Sequence, residues 1–348
     1  MNTAQPTDPH RASNERMNKI SIGVGLLLAL GIMAVSSYGQ GSNRPPSDPP
    51  IAQKQGQRQE PGETVELSSR LVNVFFTVTD KRNAFITDIR REEVEVLENG
   101  EPQEIFMFKR QTDVPLTIAL LIDVSASEQY TLPDEKFAAG RFLRSIVRPM
   151  KDTVAIIKFR DEAILVQDFT STVDRMEEAL ARIRYTPRTT TNRRSTFGGT
   201  SLYDAVYVTC QNLLAEQAGR RTIILLSDGE DTTSYYRLSD AIDRALRSEV
   251  TVYAIGIGDR FRFGLDKKTL RKLTGETGGR AYFPKNPDEL MRAFRQIEDE
   301  LRSQYLVAYY PSNPKQDGTF RSIEIRIPTR KDLRLRYRRG YYAGRASQ

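Results

Sequence analysis

The sequence predicts an α/β fold with a doubly wound, mainly parallel sheet, flanked by antiparallel β segments that could complete one small sandwich. From about residue 114, apolar runs alternate with amphipathic runs, which is typical of a parallel sheet covered by helices on both faces. Before that point, and again near the C-terminus, short runs alternate polar and apolar residues as half-buried strands do. With 348 residues and 39% hydrophobic side chains, the chain can build one large or two modest cores.

The N-terminus has the features of a targeting segment. Arg16 and Lys19 precede an apolar run, and the small residues Ser37 and Gly39 follow it, which favours a signal peptide cleaved near Gly39. An uncleaved membrane anchor is the alternative, since the run is near the lower length limit for spanning a bilayer. We therefore predict that residues 1–39 are a signal peptide or membrane anchor. The bulk of the chain would then be secreted, periplasmic or held at the cell envelope.

Two segments separate this leader from the α/β core. Residues 40–63 are rich in Pro, Gln and Gly and nearly free of large apolar side chains, so we expect a disordered linker. Residues 64–112 alternate in the manner of β-strands, and the Asn99-Gly100 pair indicates a tight hairpin turn. They are predicted to form an N-terminal β unit.

The predicted α/β domain covers residues 114–302, where buried strands are separated by amphipathic helices. Two of its strands are joined by a tight turn and should pair antiparallel, as the one exception to the parallel sheet. The first helix carries apolar residues that we expect to share its buried face: Phe137, Phe142, Leu143 and Ile146. The strands are predicted at "PLTIALLIDVS", "DTVAIIKFRD", "AILVQDFT", "RTIILLSDGED", "VTVYAIGIGD" and "RAYFP".

Residues 303–348 return to β-type patterns and form the predicted C-terminal β segment. Within it, apolar Leu333, Leu335 and Tyr337 alternate with a row of arginines at positions 334, 336 and 338. We interpret this row as a solvated face that pairs with Glu324 or neighbouring acids. An anion-binding stripe is the alternative, but no base-stacking signature accompanies it, so no nucleic-acid partner is predicted.

Composition excludes several kinds of chemistry. The one histidine is His10 and the one cysteine is Cys210, so the chain can form no internal disulfide. If the leader is cleaved, the mature chain has no histidine, which removes Ser–His–Asp and Cys–His nucleophiles and His-ligated zinc. Cys210 lies in an apolar helical pattern and is expected to be a buried small residue. The net charge of +7 favours acidic partners only weakly.

The first buried strand ends in an unusual polar pattern, Asp123-x-Ser125-x-Ser127. In a doubly wound sheet, ligands bind beyond the carboxyl ends of the strands, where the loops converge. Thr200 lies in a loop just before a predicted helix, and Asp228 lies at the end of another predicted buried strand. Both loops should lie at the same edge of the sheet as Asp123. The alternate spacing of the first three residues could turn their oxygens toward one point, and the other two would complete a group of hard oxygen ligands.

A site with these five residues would suit Mg²⁺, or alternatively Ca²⁺ or Mn²⁺, because all the donors are hard oxygens. Only two of them are carboxylates, so the cation would stay partly unneutralised and could accept an acidic side chain from outside. The roles of three nearby acids, Asp204, Glu230 and Asp231, are open. Asp204 could orient the loop that carries Thr200 or be an ordinary acid in a first helical turn. Glu230 and Asp231 could support the site, although a solvated turn explains them as well.

The stretches "DVSAS", "GGTSLYDA" and "LLSDGED", in this order and on this pattern of elements, resemble the metal-ion-dependent adhesion site of von Willebrand factor A (VWA) domains. The flanking "VEVLENGEPQEI" and "RLRYRRGYYA" also resemble VWFA-related proteins of the acidobacterial type. The resemblance implies a Rossmann-like VWA domain over about residues 114–302 and matches every residue of the family's metal motif. In the family, the counterparts of the first three residues and Thr200 contact the ion, and that of Asp228 usually acts through water.

The resemblance implies a protein-binding module of the adhesion type that catalyses no reaction. Its partner would be a protein that supplies Asp or Glu to the cation, and the N-terminal apolar segment could tether it to a membrane. Two alternatives stay open. The protein could be a structural component of an envelope assembly in which the ion is incidental. It could also be a metal-dependent hydrolase that activates water, although no candidate base lies near the motif.

Overall fold

The computed structural model describes residues 71–110, 113–185, 199–257 and 264–344, which all belong to the compact unit Ser68–Gln348. The predicted leader and linker lie outside the described residues, as does the start of the predicted N-terminal β unit, so that part of the division into segments stays a prediction. Within the described ranges, no helix combines the length and the apolar character that a membrane crossing requires.

Strands and helices follow one another in the predicted order. The strands are β1 (Val72–Thr79), β2 (Glu95–Glu98), β3 (Glu101–Gln103), β4 (Ile105–Arg110), β5 (Leu116–Asp123), β6 (Thr153–Phe159), β7 (Ala163–Thr170), β8 (Arg220–Ser227), β9 (Thr251–Gly256), β10 (Ala281–Tyr282), β11 (Tyr305–Tyr309), β12 (Phe320–Arg326), β13 (Arg334–Tyr337) and β14 (Gly340–Tyr342). The helices are α1 (Leu132–Ile146), α2 (Val173–Arg182), α3 (Leu202–Val208, continued by a π-helical turn over Thr209–Leu214), α4 (Leu238–Arg247), α5 (Lys267–Thr277) and α6 (Pro287–Arg302).

The central sheet has six strands in the order β10-β9-β8-β5-β6-β7, and only β7 runs antiparallel to its neighbour. This confirms the predicted doubly wound sheet and its antiparallel exception. Every residue of β5 is buried. Its alternate side chains enter two different cores, because α1, α2 and α6 cover one face of the sheet and α3, α4 and α5 cover the other.

Helix α1 buries one side against the sheet, but not all the residues predicted for that side. Phe142, Leu143 and Ile146 are buried, whereas Phe137 is 66% exposed. Five residues separate Phe137 from Phe142, which is about 140° of rotation around an α-helix beyond one full turn. The prediction for Phe137 was therefore wrong, since it lies outside the apolar stripe of this helix.

The flanking β segments build two antiparallel sheets together, in the orders β13-β1-β11-β4 and β14-β12-β2-β3. Strands from before and after the central domain pair directly, as β1 does with β11 and β2 does with β12. Side chains of both sheets share one core, which confirms the expected sandwich. The β2–β3 hairpin turns at Asn99 and Gly100, whose φ angles of 51° and 88° suit the tight turn that this pair indicates.

The arginine row on β13 and just after it is solvated at Arg334, as predicted, but not at Arg336 and Arg338. Arg336 donates a hydrogen bond to the carbonyl of Gly279, just after α5. The Arg336 guanidinium also lies 3.6 Å from the carboxylate of the buried Glu300, on α6. Arg338 lies 3.3 Å from Glu249, which follows α4. The expected pairing with Glu324 is absent from the ion pairs of the described residues, because Glu324 pairs with an arginine of its own strand. Arg336 and Arg338 instead join the sandwich to the α/β domain.

Candidate metal centre

The site lies at the carboxyl edge of the central sheet, where the direction of winding changes. From β5 the chain moves to β6 on one side, and it later returns to β8 on the other side. Asp123 is the last residue of β5, and Asp228 follows directly after Ser227, the last residue of β8. Such a switch point leaves a crevice between the diverging loops, which is the usual ligand position in this class of fold.

The first motif folds back on itself through local hydrogen bonds. The Asp123 carboxylate accepts bonds from the Ser125 amide at 2.8 Å and from the Ser227 hydroxyl at 2.9 Å. The hydroxyls of Ser125 and Ser127 lie 2.9 Å apart. The alternate spacing therefore brings both serines to the carboxylate at the end of the strand, and the neighbouring strand adds a third hydroxyl.

The turn after β8 presents Asp228 in a fixed position. The Asp228 carboxylate accepts a hydrogen bond from the Glu230 amide at 3.0 Å. Between them, Gly229 has φ +82°, and its amide donates to the Ser227 hydroxyl at 3.1 Å. A Cβ atom on Gly229 would lie 2.8 Å from Leu270 Cγ. Glycine is thus required both by the left-handed backbone and by the close approach of α5.

The Thr200 loop is attached to the loop that follows Asp228. The Thr200 amide donates to the Thr232 hydroxyl at 2.8 Å, and its carbonyl accepts from the Thr232 amide at 2.9 Å. A Cβ on Gly199 would meet Thr233 Cγ2 at 2.1 Å, so the glycine before Thr200 permits this close approach. These contacts fix the backbone of Thr200 beside the Asp228 loop. That its hydroxyl completes the set of ligands stays a prediction.

Two of the neighbouring acids stabilise this arrangement of loops. The Asp204 carboxylate accepts hydrogen bonds from the amides of Tyr235 and Tyr236 at 3.0 and 2.9 Å. Asp231 accepts a bond from the Tyr203 amide at 3.1 Å, in the first turn of α3. Each acid therefore connects the Thr200 segment with the Asp228 loop. This favours the supporting role for both residues over the interpretation as ordinary helix-end or turn acids.

The structure also brings Glu128 to the site, a residue that the sequence analysis missed. One carboxylate oxygen from each of Asp123, Glu128 and Asp228 lies within 4.8 Å of the other two, and all three residues are buried. Glu128 Oε2 accepts a bond from the Thr131 hydroxyl at 2.7 Å, and Oε1 is buried without a hydrogen-bond partner. The polar spacing of Glu128, Thr131 and Glu135 is helical and could have revealed this inward-facing group.

These acids are costly to ionise without a cation. Burial, followed by the charge of Asp228, raises the pKa of Asp123 to about 7. Burial also raises the pKa of Asp228, against hydrogen bonds from the Glu230 amide and from Ser127. The pKa of Glu128 lies well above its usual value because of burial and, secondly, the neighbouring Glu135. A bound cation would remove this cost by favouring the ionised forms.

The donor set fits a hard divalent cation. It contains carboxylate and hydroxyl oxygens and no soft ligand, as Mg²⁺, Ca²⁺ and Mn²⁺ prefer. The carboxylate residues at the motif positions are 0–2% exposed, whereas Ser125, Ser127 and Thr200 are 6–8% exposed. The three residues that carry hydroxyls are thus slightly closer to solvent than the two aspartates. A ligand from solution would reach a cation here from the side of the hydroxyls.

Comparison with known families agrees with this fold. The profile of the von Willebrand factor type A domain matches residues 117–296, just over half of the chain. The protein therefore belongs to the VWA domain family, which confirms the resemblance predicted from the three motifs. Membership of the acidobacterial type of VWFA-related proteins stays a prediction. A comparison with curated proteins gave no match.

Several solved structures are similar to this chain at low sequence identity, with TM-scores below 0.5. The match with BatB from Bacteroides thetaiotaomicron is 17% identical and has a TM-score of 0.44. It covers 54% of this chain and 100% of the BatB chain. A von Willebrand factor type A protein from Catenulispora acidiphila is 14% identical over 77% of this chain and 72% of its own, with a TM-score of 0.46. Proximal thread matrix protein 1 from the mussel byssus, with a zinc-occupied MIDAS motif, is 15% identical over 59% of this chain, with a TM-score of 0.46. That match spans about half, 49%, of the mussel protein.

Proposed function

We propose that this protein is a protein-binding module of the adhesion type, which coordinates one divalent cation and binds an acidic group of a partner protein through it. Mg²⁺ is the proposed ion, with Ca²⁺ or Mn²⁺ as substitutes. The proposed ligands are Asp123, Ser125, Ser127, Thr200 and Asp228. The protein would act outside the cytoplasm, either secreted or held at the envelope by its N-terminal segment, and no catalysed reaction is part of this role.

One observation carries the proposal: in the part of the chain that the structure describes, acidic side chains converge at the switch point of the sheet, and no cationic group is among the main influences on the pKa of Asp123. The charge with the largest effect on the pKa of Asp123 is another acid, Asp228. Buried charges are normally paired or bound to metals, since an isolated buried charge is strongly unfavourable. A divalent cation between these residues would supply the missing positive charge.

The chemistry of the partner follows from which side of the site is open. Hydroxyl oxygens are neutral and weak donors, so a cation would keep part of its positive charge on the side where Ser125 and Ser127 lie. An Asp or Glu side chain from a partner is the ligand that completes such a coordination shell. When bound, the cation supplies a positive contact point, and the chain's own loops hold it in a constant position for the partner.

The proposal can be tested by capturing partners from an envelope extract with the immobilised protein, in Mg²⁺ and in excess chelator. We expect specific partners to be retained in Mg²⁺, released by chelator and absent from an Asp123→Asn variant. Glu178→Gln is a suitable control, because it removes the same charge from an exposed position of α2. Circular dichroism should show that all three proteins are folded.

Two results would contradict the proposal. Partners that remain bound in chelator and to Asp123→Asn would favour a structural role in which the ion is incidental. Hydrolytic turnover by the purified protein that disappears in Asp123→Asn would instead favour a metal-dependent hydrolase.

A further inference from the structure

We infer that Glu128 is a third carboxylate ligand of the cation in this protein, entering the site from its buried side. The inference rests on the proposed function, because it requires that the site binds a cation. The motif that defines the family resemblance ends at Ser127 and does not include the residue after it. A metal-binding role of Glu128 would therefore be specific to this chain and is not implied by the shared motif.

The local backbone directs Glu128 inward. Residues Ala126–Glu128 form a short 3₁₀ turn directly after Ser125, and the side chain of Glu128 ends fully buried. Its position relative to the other acids suits a shared ion. Oxygens that bind one cation at 2.3–2.6 Å can lie at most about 5 Å apart, on opposite sides of it. The limit of 4.8 Å within the cluster of Glu128, Asp123 and Asp228 satisfies this condition for an ion with the bond lengths of Ca²⁺. Around Mg²⁺, which binds oxygens at a shorter distance, the three oxygens would have to draw together to within about 4.2 Å.

A second and independent observation is the incomplete hydrogen bonding of Glu128. The Thr131 hydroxyl donates to Oε2, but Oε1 has no hydrogen-bond partner although it is shielded from solvent. A buried carboxylate oxygen without a partner is destabilising unless a proton or a cation satisfies it. Coordination of the ion by Glu128 would satisfy this atom.

The competing explanation is a proton shared between Glu128 and Glu135. The Glu135 carboxylate is also buried and lies within hydrogen-bond distance of the Glu128 side chain, so a proton shared by the pair would satisfy several atoms without a metal. The two acids differ in one respect, however. Glu128 belongs to the group of oxygens that converges with Asp123 and Asp228, and Glu135 does not. Glu135 is therefore the matched control, with the same side chain and full burial but a place outside the site.

A third carboxylate changes the charge that a partner meets. Three ionised carboxylates exceed the two positive charges of the cation, so the loaded site would be positive toward a partner only when Glu128 leaves the ion. An acidic group of the partner would then compete with Glu128 for the ion. This places Glu128 as an internal competitor that would lower the affinity for acidic partners while it strengthens the retention of the ion.

Terbium luminescence can test the assignment, because Tb³⁺ is a hard cation that prefers oxygen ligands and its decay rates in H₂O and D₂O count the bound waters. We expect Glu128→Gln to bind Tb³⁺ at least about 10-fold more weakly than the wild type. It should also gain about one bound water in place of the lost carboxylate. Glu135→Gln, which removes a neighbouring negative charge but no ligand, should keep the water count of the wild type and bind Tb³⁺ no more weakly. Thermal unfolding should show that each variant is folded.

The outcomes separate the two proposals. If Glu128→Gln keeps the affinity and the water count of the wild type while Asp123→Asn loses Tb³⁺, the role of Glu128 is refuted and the metal site stands. If the wild type binds neither Tb³⁺ nor Mg²⁺, the proposed function itself fails. Should Glu128→Gln not fold, Glu128→Asp decides the question, since it keeps the charge but withdraws the carboxylate by one methylene. Affinity and hydration equal to the wild type in that variant would also overturn the assignment.

Discussion

Replacing Asp123 with Asn should stabilise the cation-free protein and, at the same time, abolish cation binding. Burial raises the pKa of Asp123 from 3.8 to about 7, so the folded chain holds the ionised group at a cost on the order of 4 kcal/mol. Asn keeps an oxygen for the Ser125 amide and can donate its own N–H to the Ser227 hydroxyl. The exchange of a charged for a neutral hydrogen bond costs about 1 kcal/mol. We therefore expect a net gain of about 2–3 kcal/mol at pH 8.

The direction of the pH dependence follows from the same pKa. Because the folded pKa of Asp123 lies above the unfolded value of 3.8, folding is not penalised below that pH. Stability is lost as the pH rises through about 7, where the buried carboxyl group must ionise. The gain from Asp123→Asn should therefore be absent near pH 4 and complete near pH 8.

The assay is urea unfolding at several pH values, in chelator and in Mg²⁺. At 100 times the dissociation constant, Mg²⁺ should stabilise the wild type by about 2.7 kcal/mol and leave Asp123→Asn unchanged. Glu178→Gln should behave as the wild type in both conditions. Equal stability of the wild type and Asp123→Asn at pH 8 in chelator would refute the burial argument, and Mg²⁺ stabilisation retained by Asp123→Asn would refute its role as a ligand.

Three further substitutions test the structure around the site. Asp152→Ala should lower the free energy of unfolding in urea by about 3 kcal/mol, since this buried acid accepts bonds from the β5 backbone and from Arg148; a loss under about 1 kcal/mol would contradict it. Gly229→Ala should weaken Mn²⁺ binding in calorimetry, because its φ of +82° and the contact with α5 force the Asp228 turn to move; unchanged affinity would disprove this. Glu98→Ala breaks a pair with Arg321 in which both side chains are 3% exposed. It should destabilise the sandwich by about 3–5 kcal/mol in thermal or urea unfolding while cation affinity stays the same, and a parallel loss of affinity would count against this separation.

Periodicity predicted the fold well where one pattern dominates. The run that became β5 is apolar throughout, and it is buried by helices on both faces. Strands before and after the α/β domain alternate with period two, and they indeed pair into one sandwich. Their register could not be predicted, because it depends on contacts between segments far apart in the chain. The arginine row shows the same limit, since the acidic partners of Arg336 and Arg338 lie on α6 and just after α4, in the α/β domain.

The part of the site that depends on local sequence motifs could be predicted. The position of Asp123 at a strand end, next to two serines, follows from spacing and the rule of the switch point. Glu128 could not be identified from the motif because it lies one residue beyond it, and its inward orientation depends on the turn after Ser125. Burial of the acids, and hence their raised pKa values, could not be read from residue types alone, because the same acids in exposed loops would be ordinary solvated groups.

The central claim is that three separate loops hold one hard cation at the switch point of the sheet. A crystal structure with Mn²⁺, using its anomalous scattering, tests it most directly. We expect one strong anomalous peak within bonding distance of Asp123, Ser125 and Ser127, with Thr200 and Asp228 bound directly or through water. A map without a peak at this position, or with Thr200 and Asp228 turned away from the ion, would contradict the claim.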